Sequence, residues 1–437
     1  MRKRFLATAL GAILSGAVLA DDPVVMPTVK LSAPVPTGTP LAPLPAPLPG
    51  EFAPAPPTGF NVGAPVGIPG GSTPSVFPAR IAEPPTTVTG PRIWGGFEYL
   101  LWFAKGSDVP PLVSVVNGPA ALARPIDPRA ASVLNDTTMN DGAHSGFRAT
   151  LGLWFDPVRS FGVEANYLWF VRDKNENVFT DGPGTVLARP FTNANTGNPG
   201  LLALSTPTGS TRAAVQVRTS FEADGSEVNA LFRGPALLGE DVHWLAGFRY
   251  WGLDEHLRVE SISATATPKL VAASFDEFAT RNRFYGGQVG ARWNFMGERW
   301  TADATGKIAL GGMGQDTTVS GGTGLVVAGN DSAAAQGGLL ALGTNIGRHD
   351  RTKIVFIPEV SLNLGYRVTP HITMFVGYDF LYVSDVLRPG PQIDTSVNPS
   401  RLPFSSSAPT GPIRPAAKFD GESFWMQGIN FGVALRF

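Results

Sequence analysis

The chain has 437 residues, a formal charge of −1, no cysteine, 51 glycines, 40 prolines and 16% charged residues. Without a basic surplus it lacks the footprint of a nucleic-acid partner, whose phosphates must be neutralised by Lys and Arg. Without thiols it can form no disulfide, zinc–thiolate site, thiol nucleophile or lipidated N-terminal cysteine.

Arg2, Lys3 and Arg4 precede an apolar run from Phe5 to Leu19, and Val18-Leu19-Ala20 supplies a cleavage site, so residues 1–20 read as a secretory signal peptide. That run is shorter than the roughly 20 residues a spanning helix needs, and no apolar run of that length follows. A mature chain in a membrane would therefore cross it as strands. Residues 21–90 form a second region, in which 18 of the 40 prolines fall before residue 90. Proline fixes φ and removes the amide donor, so this region is expected to be a disordered, extended periplasmic linker. Cell-wall material is the partner that such a tether could reach; the plainer reading is a spacer.

From residue 91 the pattern changes to a two-residue period. Ile93, Gly95, Phe97, Tyr99, Leu101 and Phe103 alternate with Trp94, Gly96, Glu98, Leu100 and Trp102, long enough for a tilted strand to cross a bilayer, which takes roughly 9 to 11 residues. A second strand runs through Phe147, Leu151, Leu153 and Phe155, turns at Asp156-Pro157-Val158-Arg159 and returns through Phe161, Val163, Tyr167 and Val171. Further hairpins are expected at 214–221, bulged toward Phe232, with 244–253; at 281–295 with 300–311; and at 353–368 with 372–383. Short turns alternate with long segments at 104–144, 173–211, 258–280, 312–350 and 384–422, which read as loops.

The closing strand, 423–437, carries Ile429, Phe431, Val433, Leu435 and Phe437 on one face. Those residues read as its lipid face and as the signal by which barrel assembly machinery would recognise the chain. With both ends on the short-turn side, the expected fold is all-β: a transmembrane antiparallel up-and-down β-barrel of about ten strands over residues 91–437, in contact with outer-membrane lipid. A hairpin concealed in a long segment would make twelve. A secreted soluble barrel or sandwich is the competing reading, but it gives no reason for loop length to segregate by side.

The alternation also assigns an inner face. Arg148, Glu164, Arg249, Arg292, Asp303, Lys307, Glu359, Asp379 and Arg436 are expected in the lumen, because a charge facing mid-bilayer hydrocarbon costs about 2–4 kcal/mol. A four-residue turn at 296–299 would place Arg292 opposite Asp303 and Gln288 opposite Lys307. Ten strands enclose little more than side chains, so mixed charges read as a salt-bridged filling; a narrow solute channel is the alternative. The tryptophans fall in or beside strands, as an interfacial girdle requires, although Trp102 and Trp251 face inward by their alternation. Carbohydrate stacking is the sharper alternative for any of them.

Catalytic chemistry has thin support. His144, His243, His256, His349 and His371 read as strand-end or loop residues. His144 and Ser145 are adjacent and so point to opposite faces, which is poor geometry for a hydrolase pair. Gly286-Gly287 and Gly311-Gly312 fit bulges or loop starts, since no helix or Walker lysine follows. No residues propose a metal or cofactor site. The chain is read as a structural or surface-displaying barrel rather than an enzyme, with a membrane-embedded hydrolase as the remote alternative.

A series of ordered matches also resembles a known family. They comprise Trp94 with Glu98-Tyr99-Leu100-Leu101-Trp102, Pro110-Pro111-Leu112-Val113, Ser145-Gly146-Phe147-Arg148, Gly152 with Trp154, and Gly247 with Arg249-Tyr250. Thr280-Arg281-Asn282, Phe284-Tyr285-Gly286-Gly287-Gln288, Pro358-Glu359, Arg388-Pro389-Gly390 with Gln392-Ile393-Asp394, and Phe424-Trp425 with Gln427-Gly428 complete them. Over about 92–437 the chain is similar to the outer-membrane β-barrel protein family seven (BBP7) of planctomycete bacteria. That resemblance implies a barrel in an outer membrane and transfers no established reaction.

Overall fold

Strands with one apolar face and unpaired edges are stable in lipid only when the last pairs with the first. A computed structural model describes residues 92–122, 127–135, 137–235, 241–267, 269–327, 332–406 and 408–437. The signal peptide and proline-rich linker lie outside these residues. Ten strands form the ring: β1 (Ile93–Ala104), β2 (Ala143–Trp154), β3 (Phe161–Phe170), β4 (Thr211–Arg233), β5 (Asp241–Thr265), β6 (Leu270–Met296), β7 (Trp300–Val327), β8 (Gly347–Arg367), β9 (Ile372–Leu387) and β10 (Gly421–Arg436). Each is antiparallel to its neighbours, and β1 closes on β10 in the register Trp94↔Arg436 to Ala104↔Met426. At the rim the Ile93 amide donates to the Phe437 carbonyl at 3.0 Å and the Phe437 amide to that of Ile93 at 2.8 Å.

The long segments differ from the sequence expectation. β4 to β7 run for 23, 25, 27 and 28 residues, far beyond a bilayer crossing. Residues 258–280, read as a loop, are almost all strand, because β5 and β6 pair without interruption from Asp241↔Asn294 to Thr265↔Leu270. β4 likewise pairs with β5 along its whole length with no bulge. Two further strands, Asp173–Thr180 and Ser332–Gln336, extend the wall beside β4 and β7 without entering the ring.

The β6–β7 register is also corrected. Gly297 closes on Trp300 through an amide–carbonyl bond of 2.9 Å, leaving a two-residue tip, so Arg292 faces Thr305 and Asn294 faces Asp303. A shift of two residues keeps every side chain on its face, which is why the inner assignment is unaffected. Gly286 and Gly311 face each other within a regular ladder, not at a bulge. A Cβ on Gly311 would lie 2.2 Å from the Tyr285 carbonyl, so glycine permits this close approach.

Along the tall strands the polarity of the two faces inverts. In the lower part of β5, Trp244 and Phe248 point outward, about half exposed, while Arg249 is buried inside. Higher on the same strand Leu253, Leu257 and Val259 are buried inside, and Asp254, Arg258 and Glu260 form ion pairs on the outer face. The lower wall is thus built for hydrocarbon outside, and the upper wall for water outside. Against the upper inner face packs a small sheet of Ser114–Val116, Ala131–Val133, Val186–Asn193 and Pro199–Ala203, joined in parallel by Ser396–Val397. Leu112, Val113, Leu187, Val215, Phe278 and Leu340 form the core between them. Each such burial contributes about 1.5–3 kcal/mol.

Candidate functional site

Every strand of the ring sends a polar side chain into the lower lumen. Arg249 from β5 bridges Glu227 of β4 and Glu359 of β8, and Lys307 Nζ of β7 lies 2.9 Å from Glu227 Oε2 and 3.0 Å from Glu359 Oε1. Two cations and two carboxylates so alternate in a closed quartet. Gln288 Nε2 donates to Glu227 at 2.9 Å and to Asn229 Oδ1 at 2.6 Å.

Beside the quartet, Arg148 Nη2 stands 2.9 Å from Asp379 and Nη1 3.4 Å from Glu98, whose carboxylate also accepts from Asn430 at 3.1 Å. Arg292 clamps Glu164 with two 2.8 Å bonds, and Trp94 Nε1 donates to the same carboxylate at 3.2 Å. Asn363 Nδ2 donates to Asp303 at 2.9 Å. Paired geometry of this kind offsets the large cost of taking charges out of water.

Of the nine lumen charges named from sequence, eight join this cluster, and Arg436 stands at the rim, its Nη1 3.5 Å from Met296 Sδ. Glu98 and Glu227 were missed as charges. The alternation at Glu98 had already assigned it a face opposite Phe97; Glu227 fell in a stretch read as a bulge.

Above the charges lies an apolar layer. Phe221, Phe284 and Phe424 are fully buried there, together with Trp102 and Trp251. A lid covers that layer. Arg388 Nε and Nη2 each lie 2.6 Å from Glu255, and Arg388 Nη1 donates to the Lys105 carbonyl at 2.6 Å. Asn282 of β6 receives the Leu387 amide and donates to the Leu387 carbonyl, both at 2.8 Å. Higher still, Arg189 meets Asp276 at 2.5 Å, and Asp276 accepts from the amides of Leu340 and Ala341. The motifs around Asn282 and Arg388 that carried the family resemblance therefore meet at the lid.

Of the five histidines only His256 departs from the sequence reading, lying in the middle of β5; His144, His243 and His349 stand at the second or third position of their strands and His371 in a turn. His144 stacks on Phe221 inside, with centroids 4.1 Å apart, while Ser145 Oγ is 2.9 Å from the outward Tyr99 hydroxyl. Among the described residues, no three His, Asp or Glu side chains gather as a metal site.

A closed antiparallel ring with charges inside and hydrocarbon-facing side chains outside defines a transmembrane β-barrel of the outer-membrane type. The chain belongs to the family described as Putative beta barrel porin-7 (BBP7), whose model matches residues 94–437. Among solved structures it is similar to the outer membrane protease OmpT from Escherichia coli, at 10% identity and TM-score 0.39 over 80% of this chain and 98% of that one. It is also similar to the toluene transporter TodX of Pseudomonas putida, at 9% identity and TM-score 0.21 over 79% and 90%. A Pseudomonas aeruginosa FadL homologue gives 8% and 0.21 over 79% and 90%. No curated protein matches.

Proposed function

We propose that this chain is a closed outer-membrane barrel whose task is structural and presentational: it anchors a folded, water-facing lid above the membrane and does not form an open pore. The observation that carries this reading is the stacking of three closures in one lumen, namely the ion-pair cluster, the apolar layer at Phe221, Phe284 and Phe424, and the lid held by Arg388. A wide channel needs many more strands than ten. In this reading Ile429, Phe431, Val433, Leu435 and Phe437 engage the assembly machinery, and residues 21–90 reach toward cell-wall material.

The test is conductance in planar bilayers. The expected result is no steps of the size given by wide diffusion porins, and such steps would overturn the proposal. The family description favours a second reading, a narrow solute channel. It gains support from buried polar atoms of the lower lumen that lack a protein partner, Asn363 Oδ1 and Asn430 Oδ1 among them, since such atoms suit hydration. Small, reproducible steps that grow when Phe284 is replaced by Ala would select it.

A further inference from the structure

We propose that the inner, short-turn mouth of the barrel is a phosphate-binding site built from Arg159, Arg367 and Arg436. A cavity of about 520 Å³ opens there, lined by these three side chains with Glu298, Met296 and Thr369 among its other walls. The arginines come from the β2–β3 turn, the end of β8 and the end of β10, so the closed ring gathers them from three distant points of the chain.

Their partners set them apart. Arg148, Arg249 and Arg292 each face carboxylates. By contrast, Arg367 Nη1 donates to the Glu298 backbone carbonyl at 3.1 Å, Arg436 Nη1 reaches only the Met296 sulfur, and Arg159 Nε is buried without a hydrogen-bond partner. None of the three stands in an ion pair among the described residues. Guanidinium groups that converge on one cavity repel one another unless an anion lies between them.

The turn itself is built to hold Arg159. Its φ of 55° is left-handed, a region that favours glycine and strains any other residue. The turn is locked by Asp156, which accepts from the Ser160 amide at 2.9 Å, the Ser160 hydroxyl at 2.8 Å and the Phe161 amide at 2.8 Å. Backbone strain sustained by such surroundings is characteristic of ligand clamps. Three guanidinium charges against the Glu298 carboxylate leave a surplus of two, which matches a phosphate dianion better than a single carboxylate. The planar N–H pairs of arginine suit phosphate oxygens. The phosphate can be free in solution or carried as the monoester headgroup of phosphatidic acid, which also bears up to two negative charges.

The test uses the full chain in phosphatidylcholine nanodiscs, titrated with inorganic phosphate by calorimetry. The expected result is saturable binding that Arg159→Gln/Arg367→Gln weakens by roughly tenfold or more, about 1.4 kcal/mol, while Arg299→Gln leaves it unchanged. Should the double variant fail to assemble, Arg159→Gln alone carries the same test. Nanodiscs containing phosphatidic acid separate the sources. Undiminished phosphate binding assigns a free anion, whereas arginine-dependent competition assigns the headgroup. Absence of saturable binding in phosphatidylcholine, or binding equally strong in the variants, overturns the site.

Discussion

The lower lumen and the interior above it are closed by opposite means. Below, closure comes from charges on all sides of the ring, each facing a charged or polar partner on another strand. Above, it comes from aromatic and aliphatic burial, with single buried ion pairs pinning chain segments that are not part of the ring. The difference teaches that one wall serves two solvents: where lipid lies outside, the polar residues go in, and where water lies outside, the apolar residues go in.

Breaking the quartet should have the largest effect. Arg249→Ala leaves Glu227 and Glu359 sharing Lys307, and is expected to destabilise the ring by about 3–5 kcal/mol in urea unfolding of the micelle-bound protein. A loss under about 1 kcal/mol would erase the contrast between the two regions. Next comes the lid. Asn282→Ala removes both bonds to the Leu387 main chain, and about 1–3 kcal/mol is expected. That loss should be local: proteolysis within 388–420 should accelerate while amide protection in the lower strands stays constant.

The pH response of the upper wall sharpens the comparison further. Glu277 lies on the water-facing side of β6, where the hydrogen bond from His256, helped by the Arg258 guanidinium, pulls its carboxyl from the usual 4.5 to about 2. A carboxyl lowered by folding stabilises above its unfolded value, and that contribution is lost as pH falls from 4.5 through about 2. Hydrogen exchange of upper β5 and β6 should quicken over that window, and Glu277→Gln should flatten the response. The smallest effect is expected at Arg281, which is 61% exposed and 3.7 Å from Asp254. Arg281→Ala should change stability by at most about 1 kcal/mol, since such pairs are screened by solvent.

The same inversion explains what could be read from the sequence. The ring strands and their inner charges were legible because one rule, apolar out and polar in, holds from Trp244 to Arg249 and from Tyr285 to Phe295. Above them the rule reverses. Asp254-Glu255-His256-Leu257-Arg258-Val259-Glu260 reads as a polar loop to anyone following the lipid face, yet Leu257 and Val259 keep the two-residue period on the other side. Glu255 also occupies an inward position, and its partner Arg388 lies more than a hundred residues away, a pairing that no local pattern encodes. The turn at Glu298 and Arg299 is two residues tighter than the sequence predicts, because alternation fixes a side chain's face but not its register.

The inverted wall also fixes how deeply the barrel sits. A residue advances a strand by about 3.3 Å, so sinking by a few residues would carry Asp254 and Arg281 toward hydrocarbon, where the cost of a basic side chain climbs with depth to roughly 2–4 kcal/mol at the midplane. Rising by the same amount would lift Phe248, Tyr285 and Ile354 into water. With penalties in both directions on several adjoining strands, the molecule carries its own waterline and would hold that level even in a bilayer of somewhat different thickness.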